Sequence, residues 1–357
     1  MTISTARILE VYEETRSHTE AAKRLGMGAD AVRKRLKRAD LTPVVPGKSV
    51  CYDKDNNPIL TWSTGRGVGG ATAEEVAEAV STALKDYRPS APLKTAPVVS
   101  DKSLATVMPF PDLHFGLLSW RKETGIDWDM KIAQEIYRKV TARLISSSPK
   151  SDTCVVLGLG DLLHTDNYDN MTTKGTPQDQ DGRYPKMLYE ATQFLMYVID
   201  LAAERHKKVI VVVLPGNHDE QSAVAVRLAL SLHYYKHKNI SICDDAGRFW
   251  YWEWGKNLLA ATHGDKLKKS DLPLLMASTN PEAWGRTVFR AYFTGHIHHE
   301  TGLDKGQVRV ESFQAPVAKD SWHASRGYGG GQSLQTITYH KDDGEISRQR
   351  VNIKTES

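Results

Sequence analysis

Apolar positions follow a helical period at the start of the chain and a strand-like one later. In "ISTARILEVYEE", Ile3, Ile8, Leu9 and Tyr12 recur at roughly helical intervals, and "TEAAKRLGMGADAVRKRLKRA" continues the pattern. Ala22, Gly26 and Val32 fall at the intervals of a helix-turn-helix. The small residue lets two helices cross closely, the glycine can take a left-handed turn, and Val32 with Leu36 anchors the second helix. Three short helices are therefore expected over residues 3–40. After Leu41 the pattern breaks. "TPVVPGK" reads as a linker and "SVCYDKDNNPILTW" as a small hairpin turning at Asp55-Asn56-Asn57. "ATAEEVAEAVSTALKDY" reads as one helix and "RPSAPLKTAP" as a Pro-rich tether.

From about Ser100 the rhythm becomes strand followed by polar cluster. "ATVMPFPDLHFG", "DTCVVLGLGDLLH", "VIVVVLPGNHDE", "NLLAATHGD" and "RAYFTGHIHHE" are five apolar runs, and each stops at Asp or His. Between the early runs lie the helical stretches "WDMKIAQEIYRKVTARLISS" and "PKMLYEATQFLMYVIDLAAERH". This alternation predicts an α/β domain, a sheet with helical cover whose polar groups gather at the carboxyl ends of the strands. Three parts follow: residues 1–42 as a small all-α helix-turn-helix, 43–100 as a linker with a hairpin and a helix, and 101–357 as the main domain.

Composition narrows the class. At 357 residues and 40% hydrophobic content the chain can bury a large core. It holds no run of about 18 apolar residues, so no membrane span is expected. Its start lacks the basic-then-apolar order of a signal peptide. Cys51, Cys154 and Cys243 are too few and too scattered for a disulfide framework or a CxxC metal site, which points to a reducing cytoplasm. The net charge is +4, and its location changes the picture more than its size. Arg33, Lys34, Arg35, Lys37 and Arg38 face a single Asp30 on the second helix of the turn motif, a surplus equal to the net charge of the whole chain. A solvated helix face is the bland explanation. One-signed charge on that helix favours nucleic-acid phosphates, DNA first, as the partner.

The strand ends collect Asp112 and His114, Asp161 and His164, Asn217 and His218, His263, and His296 and His298. Carboxylate, amide and imidazole without thiolate suit divalent ions such as Mn, Fe or Zn. A pair of ions about 3.5–4 Å apart, held by two carboxylates and a shared solvent hydroxide, could activate water and neutralise charge on a phosphoryl group.

The ordered set PDLH, GDLLH, GNHD, THGD and GHIH resembles the calcineurin-like metallophosphoesterase superfamily over roughly residues 105–320. The resemblance implies a four-layer α/β/β/α sandwich. It implies Asp112, His114 and His298 as ligands of one metal and Asn217, His263 and His296 as ligands of the other, with Asp161 bridging and Mn as the first candidate. A departing alkoxide needs a proton or a positive neighbour, and His218 is the best-placed catalytic candidate for that role. The GDLLH form resembles the DNA double-strand-break repair nucleases, which implies that His164 supports His218. Asp219 is expected either to orient His218 or to cap a helix beginning at Glu220.

The leading expectation is a two-metal phosphodiesterase cutting nucleic acid, with DNA as its substrate. The rivals are a phosphatase or small-molecule phosphodiesterase, and a DNA-binding regulator that carries a metal domain. Helix-turn-helix units often act in pairs, so a homo-oligomer stays open. The polar insertion 165–187 offers Tyr168, Lys174 and Arg183 as substrate contacts; "HGDKLKKSD" offers Lys266, Lys268 and Lys269 as a phosphate-tracking patch, and 320–332 reads as a rim loop. His18, His206, His233, His237, His299 and His340 are expected to be ordinary surface or hydrogen-bonded histidines.

Overall fold

The computed structural model describes residues 5–15, 17–38, 47–52, 58–64, 100–327 and 329–354. The chain divides into two compact units, Met1–Gly69 and Gly70–Ser357. In the first, helices α1 (Thr5–Thr15), α2 (His18–Leu25) and α3 (Ala29–Arg38) share one small core of Ile8, Val11, Tyr12, Ala21, Ala22, Val32 and Leu36. Ser17 opens α2 by accepting the Glu20 N–H at 3.3 Å. Gly26 ends it in the left-handed region (φ 64°), returning its N–H to the carbonyls of Ala22 and Lys23. Ala22 and Val32 are buried in this core, on either side of the left-handed Gly26. Arg33 and Lys34 are exposed and Arg35 is half-buried, while the side chains of Lys37 and Arg38 lie outside the described residues. Strands β1 (Gly47–Tyr52) and β2 (Pro58–Thr64) pair antiparallel, as expected, with β1 starting inside the stretch read as linker. The turn at residues 55–57, the helix expected over 71–87 and the Pro-rich tether lie outside the described residues.

The second unit is built on two sheets. Strands β3 (Asp101–Phe110), β4 (Ser151–Gly158), β5 (Lys208–Val213) and β6 (Ile240–Ile242) run parallel. Strands β12 (Ser333–His340) and β13 (Gly344–Asn352) extend them antiparallel, in the order β13-β12-β3-β4-β5-β6. The other sheet takes β7 (Trp250–Trp254), β8 (Asn257–Ala261), β9 (Phe289–Thr294), β10 (Thr301–Lys305) and β11 (Val308–Ser312) in the order β10-β11-β9-β8-β7.

Alternation along the strands sets the layers. Val107, Val155, Leu157 and Val212 of the six-stranded sheet meet Leu259, Ala261, Ala291 and Phe293 of the five-stranded one. On the far face of the first sheet, Met108, Phe110, Val156 and Val211 pack under helices Met130–Ser147, Tyr184–Arg205 and Glu220–Tyr234. On the far face of the second, Leu258, Ala260 and Tyr292 pack with Leu272 and Met276 of helix Leu272–Thr279. The architecture is therefore the four-layer α/β/β/α sandwich. No helix among the described residues is long and apolar enough to cross a membrane.

Candidate metal centre

Every polar cluster sits just past the carboxyl end of a buried strand. Asp112 and His114 follow β3, Asp161 and His164 follow β4, and Asn217 and His218 follow β5. His263 follows β8, and His296 and His298 follow β9. The chain turns sharply at these points. Asp112 (φ 44°), His114 (φ 43°), Asp161 (φ 51°), His296 (φ 70°) and His298 (φ 57°) all adopt left-handed backbone, five of the seven described non-glycine residues that do. Such conformations cost on the order of 1–3 kcal/mol each and persist where the surroundings dictate them. Here His296 donates its N–H to both oxygens of Asp112 (2.9 and 3.0 Å), and His114 donates its own to the carbonyl of Asp161 (2.9 Å).

Glycines make the room. A Cβ on Gly160 would strike His263 Nδ1, one on Gly216 would strike the Asp161 carboxylate, and one on Gly295 would strike Asp112. Each of the three immediately precedes a cluster residue.

Three groups of ligand atoms result among the described residues, each held within 4.8 Å of one another: Asp112, His114 and His298; Asp161, His263 and His296; and His114, His164 and His218, of which the first two carry a carboxylate. In the first, His114 Nε2 and His298 Nε2 lie 3.1 Å apart and His298 Nε2 lies 3.6 Å from Asp112 Oδ1. In the second, His263 Nε2 lies 3.2 Å from Asp161 Oδ2 and 2.9 Å from Asn217 Oδ1. Asp161 Oδ2 is also 3.8 Å from His114 Nε2, so this carboxylate stands between the groups. All seven sequence candidates for metal ligation are brought together.

Burial governs their protonation. It holds His114 well below the usual imidazole range, drives His164 and His298 down to about 3, and lowers His296. These rings are neutral at pH 7 and present lone pairs. Burial alone would lower His263 too, but the Asp161 carboxylate raises it to about 10. Burial would raise Asp161, yet His263 and His218 together bring it well below the usual carboxylate range. Burial lifts Asp112 to about 7. His114 Nε2 and His298 Nε2, 3.1 Å apart beside the buried Asp112, are placed so that both can turn a lone pair to one cation.

His218 sits at the edge of both groups. Its N–H donates to Asp161 Oδ1 at 2.8 Å, and its ring Nδ1 lies 2.9 Å from the His164 carbonyl. A proton on Nδ1, donated to that carbonyl, turns Nε2 away from the backbone. His164 touches the cluster twice, through this carbonyl and through its Nδ1, which lies 3.2 Å from His114 Nδ1.

Asp219 performs neither expected task. The helix does begin at Glu220, but the Asp219 side chain makes no capping bond. It accepts N–H groups from Gly216 (2.9 Å), Asp161 (3.2 Å), Leu162 (2.7 Å) and Leu163 (3.2 Å), tying the GDLL turn to the GNHD turn. The cap comes from the insertion: Asp166 accepts the N–H groups of Gln221 (3.0 Å) and Ser222 (2.8 Å), and Thr173 accepts that of Glu220 (3.1 Å). Of the residues offered there for substrate binding, Tyr168, Lys174 and Arg183 are exposed. Lys266 pairs with Asp265 (2.8 Å) and Glu220 (3.4 Å), and Lys269 donates to the hydroxyls of Thr301 (2.5 Å) and Ser312 (2.8 Å). Two of the three supposed phosphate-tracking ammoniums are thus held by neighbours, while Lys268 is exposed.

Two residues escaped sequence reading. Asp320 caps the short helix Ser321–Ser325 through the His323 N–H (2.8 Å) and lies 2.7 Å from His323 Nδ1. That fixes the His323 ring in a stack on His298, with centroids 5.0 Å apart and planes at 15°. An N-cap Asp with His three residues later is the signal that could have found them. Among the histidines expected to be ordinary, His206 is buried and within 2.9 Å of the Ser151 hydroxyl and carbonyl, and His299 is exposed.

Fold and centre define a four-layer α/β sandwich with two adjoining aspartate–histidine clusters at the carboxyl edge of its strands. Against solved structures, the chain is similar to wild-type Vps29 complexed with zinc from Entamoeba histolytica (12% identity, 69% of this chain and 98% of that one, TM-score 0.31). It is also similar to a dimetal phosphatase from Danio rerio (9%, 71% and 99%, 0.40) and to an archaeal phosphodiesterase (11%, 70% and 99%, 0.34). No family model and no curated protein matches the chain.

Proposed function

We propose that this protein is a two-metal phosphodiesterase acting on nucleic acid, with DNA as the expected substrate and manganese as the first candidate ion. The observation that carries the reading is the meeting of the two clusters at one carboxylate, Asp161. The donors fit the group: neutral imidazoles, one amide and two carboxylates, with no thiolate, on a rigid buried platform. Asp112, His114 and His298 would hold one ion, and Asn217, His263 and His296 the other, with Asp161 shared. Two such ions supply charge neutralisation for a phosphoryl group and a nucleophile at neutral pH.

The chain's own residues complete the chemistry. Asn217 brings an oxygen without negative charge, so the cluster does not repel an incoming phosphate. His218, oriented by the His164 carbonyl, presents Nε2 toward the departing oxygen and delivers the proton an alkoxide needs. Asp219 holds the two turns that carry Asp161 and His218 in register. His164 is thus a positioning residue. Nucleic acid as substrate is supported by the charge surplus of α3, where the described Arg33, Lys34 and Arg35 outnumber Asp30, which pairs with Arg33 at 3.6 Å.

A phosphatase or small-molecule phosphodiesterase is the second reading, favoured by the fact that all site residues come from the second unit. A panel of single-stranded and duplex DNA, bis(p-nitrophenyl) phosphate, cyclic nucleotides and monoesters separates the two. Wild type with manganese should cut DNA and the diester, and His218→Ala should bind metal yet lose on the order of 10²–10⁴ in turnover. Hydrolysis of monoesters alone would establish the second reading, and no hydrolysis with any divalent ion would refute both.

A further inference from the structure

We infer that the rim beside the first cluster is a shelf for unpaired nucleobases, so that the substrate is single-stranded nucleic acid at the point of cleavage. The inference rests on the proposed phosphodiesterase reading for the position of the scissile phosphate. A chain of ring contacts, one stacked and one edge-on, leads outward from the cluster. His323 lies on His298, and the Trp322 ring meets His323 edge-on with centroids 5.0 Å apart. The Arg326 guanidinium stands 4.6 Å from the centre of the Trp322 ring. A second indole belongs to the same rim. Ser119 Oγ donates to the Lys319 carbonyl at 2.9 Å, joining the segment that carries Trp120 to the one that carries Trp322. Lys122 Nζ stands 5.4 Å from the Trp120 ring centre.

Trp120 is 54% exposed and Trp322 is 51% exposed, and neither belongs to a hydrophobic core cluster of the described residues. These large apolar rings, each beside a cation, leave about half of their surface in water. They match what a base and its phosphate require: a π-face for the base and a positive charge for the backbone. In a duplex the base faces are already stacked on their neighbours and cannot reach such rings, which selects an unpaired strand. The capping of Asp320 on His323 keeps the shelf in place relative to His298.

The test is binding, measured without turnover. The full chain in chelator is titrated into a labelled oligothymidylate and into a chain of abasic sugar phosphates of equal length. Both probes carry the same phosphates, so the basic α3 helix contributes equally to each. Wild type should bind the base-bearing strand at least about tenfold more tightly, since base–aromatic stacking gives on the order of 1–3 kcal/mol per base. Trp322→Ala and Trp120→Ala should each narrow that ratio severalfold, and Trp322→Phe, which keeps an aromatic plane, should preserve most of it. Equal affinity of wild type for both probes, or a ratio untouched in both alanine variants, would overturn the shelf. Manganese-dependent hydrolysis of bis(p-nitrophenyl) phosphate, read separately, reports on the phosphodiesterase reading, so the two failures are distinguishable.

Discussion

His263 is the residue whose charge state depends most on what occupies the centre. Without an ion, its Nε2 faces Asp161 and Asn217 oxygens and its Nδ1 lies 2.9 Å from the Leu159 carbonyl, the environment of an imidazolium. Its pKa is accordingly raised to about 10. A metal takes a neutral nitrogen, so loading must expel that proton. His114, His296 and His298 are shifted the other way and have no proton to lose at this pH. Loading at pH 8 should therefore release about one proton per protein, falling away above the raised pKa of His263. Between pH 8, above the raised pKa of Asp112, and that value, apparent affinity should climb by roughly a factor of ten per pH unit. Dye-monitored pH change on manganese addition measures it, and loading at pH 8 without proton release would contradict the assignment. The same logic explains how the ligands stay together before an ion arrives: the imidazolium offsets Asp161 where a dication otherwise would.

At the level of elements, the insertion after His164 is built into the scaffold through Asp166. Its carboxylate caps the helix Glu220–Tyr234, and Thr173 both caps that helix and donates to Asp166 at 2.6 Å. Asp166→Ala should destabilise the protein by about 1–2 kcal/mol, the range for losing a helix cap. It should also raise hydrogen exchange at Glu220–Ser222, while Lys174→Ala, at an exposed position, leaves both unchanged. An unchanged melting temperature in Asp166→Ala would refute the anchoring role. The five strand-and-cluster runs were legible in the sequence because burial on both faces leaves continuous apolar stretches that end abruptly. Strands β10 and β11 were not legible: their residues alternate with charge, as in "TGLDKGQVRV", and carry no Asp or His cluster at the end. Asp219 was misread because three of its four backbone N–H partners lie on a turn 56–58 residues away, which no local pattern reveals. Asp320 and His323 were passed over for a related reason. Their meaning lies in a stack on His298 that only the folded chain creates.

For the whole molecule, the sequence predicts a division of labour, with affinity for phosphates on α3 and chemistry at the strand ends of the second unit. Nucleic-acid binding by α3 should show the steep salt dependence of counterion release. Replacing Arg33, Lys34 and Arg35 by Ala should lower the slope of log affinity against log salt by about one for each phosphate no longer neutralised, measured by anisotropy. An unaltered slope would remove α3 from the interface without touching the centre. The central claim is that side chains from five separate strand ends form one two-ion pocket, and diffraction at the manganese edge from crystals soaked in manganese tests it most directly. Two anomalous peaks are expected, about 3.5–4 Å apart, one among Asp112, His114 and His298 and one among Asn217, His263 and His296, with Asp161 between them. A single peak elsewhere, or none in a fully soaked crystal, would contradict the account.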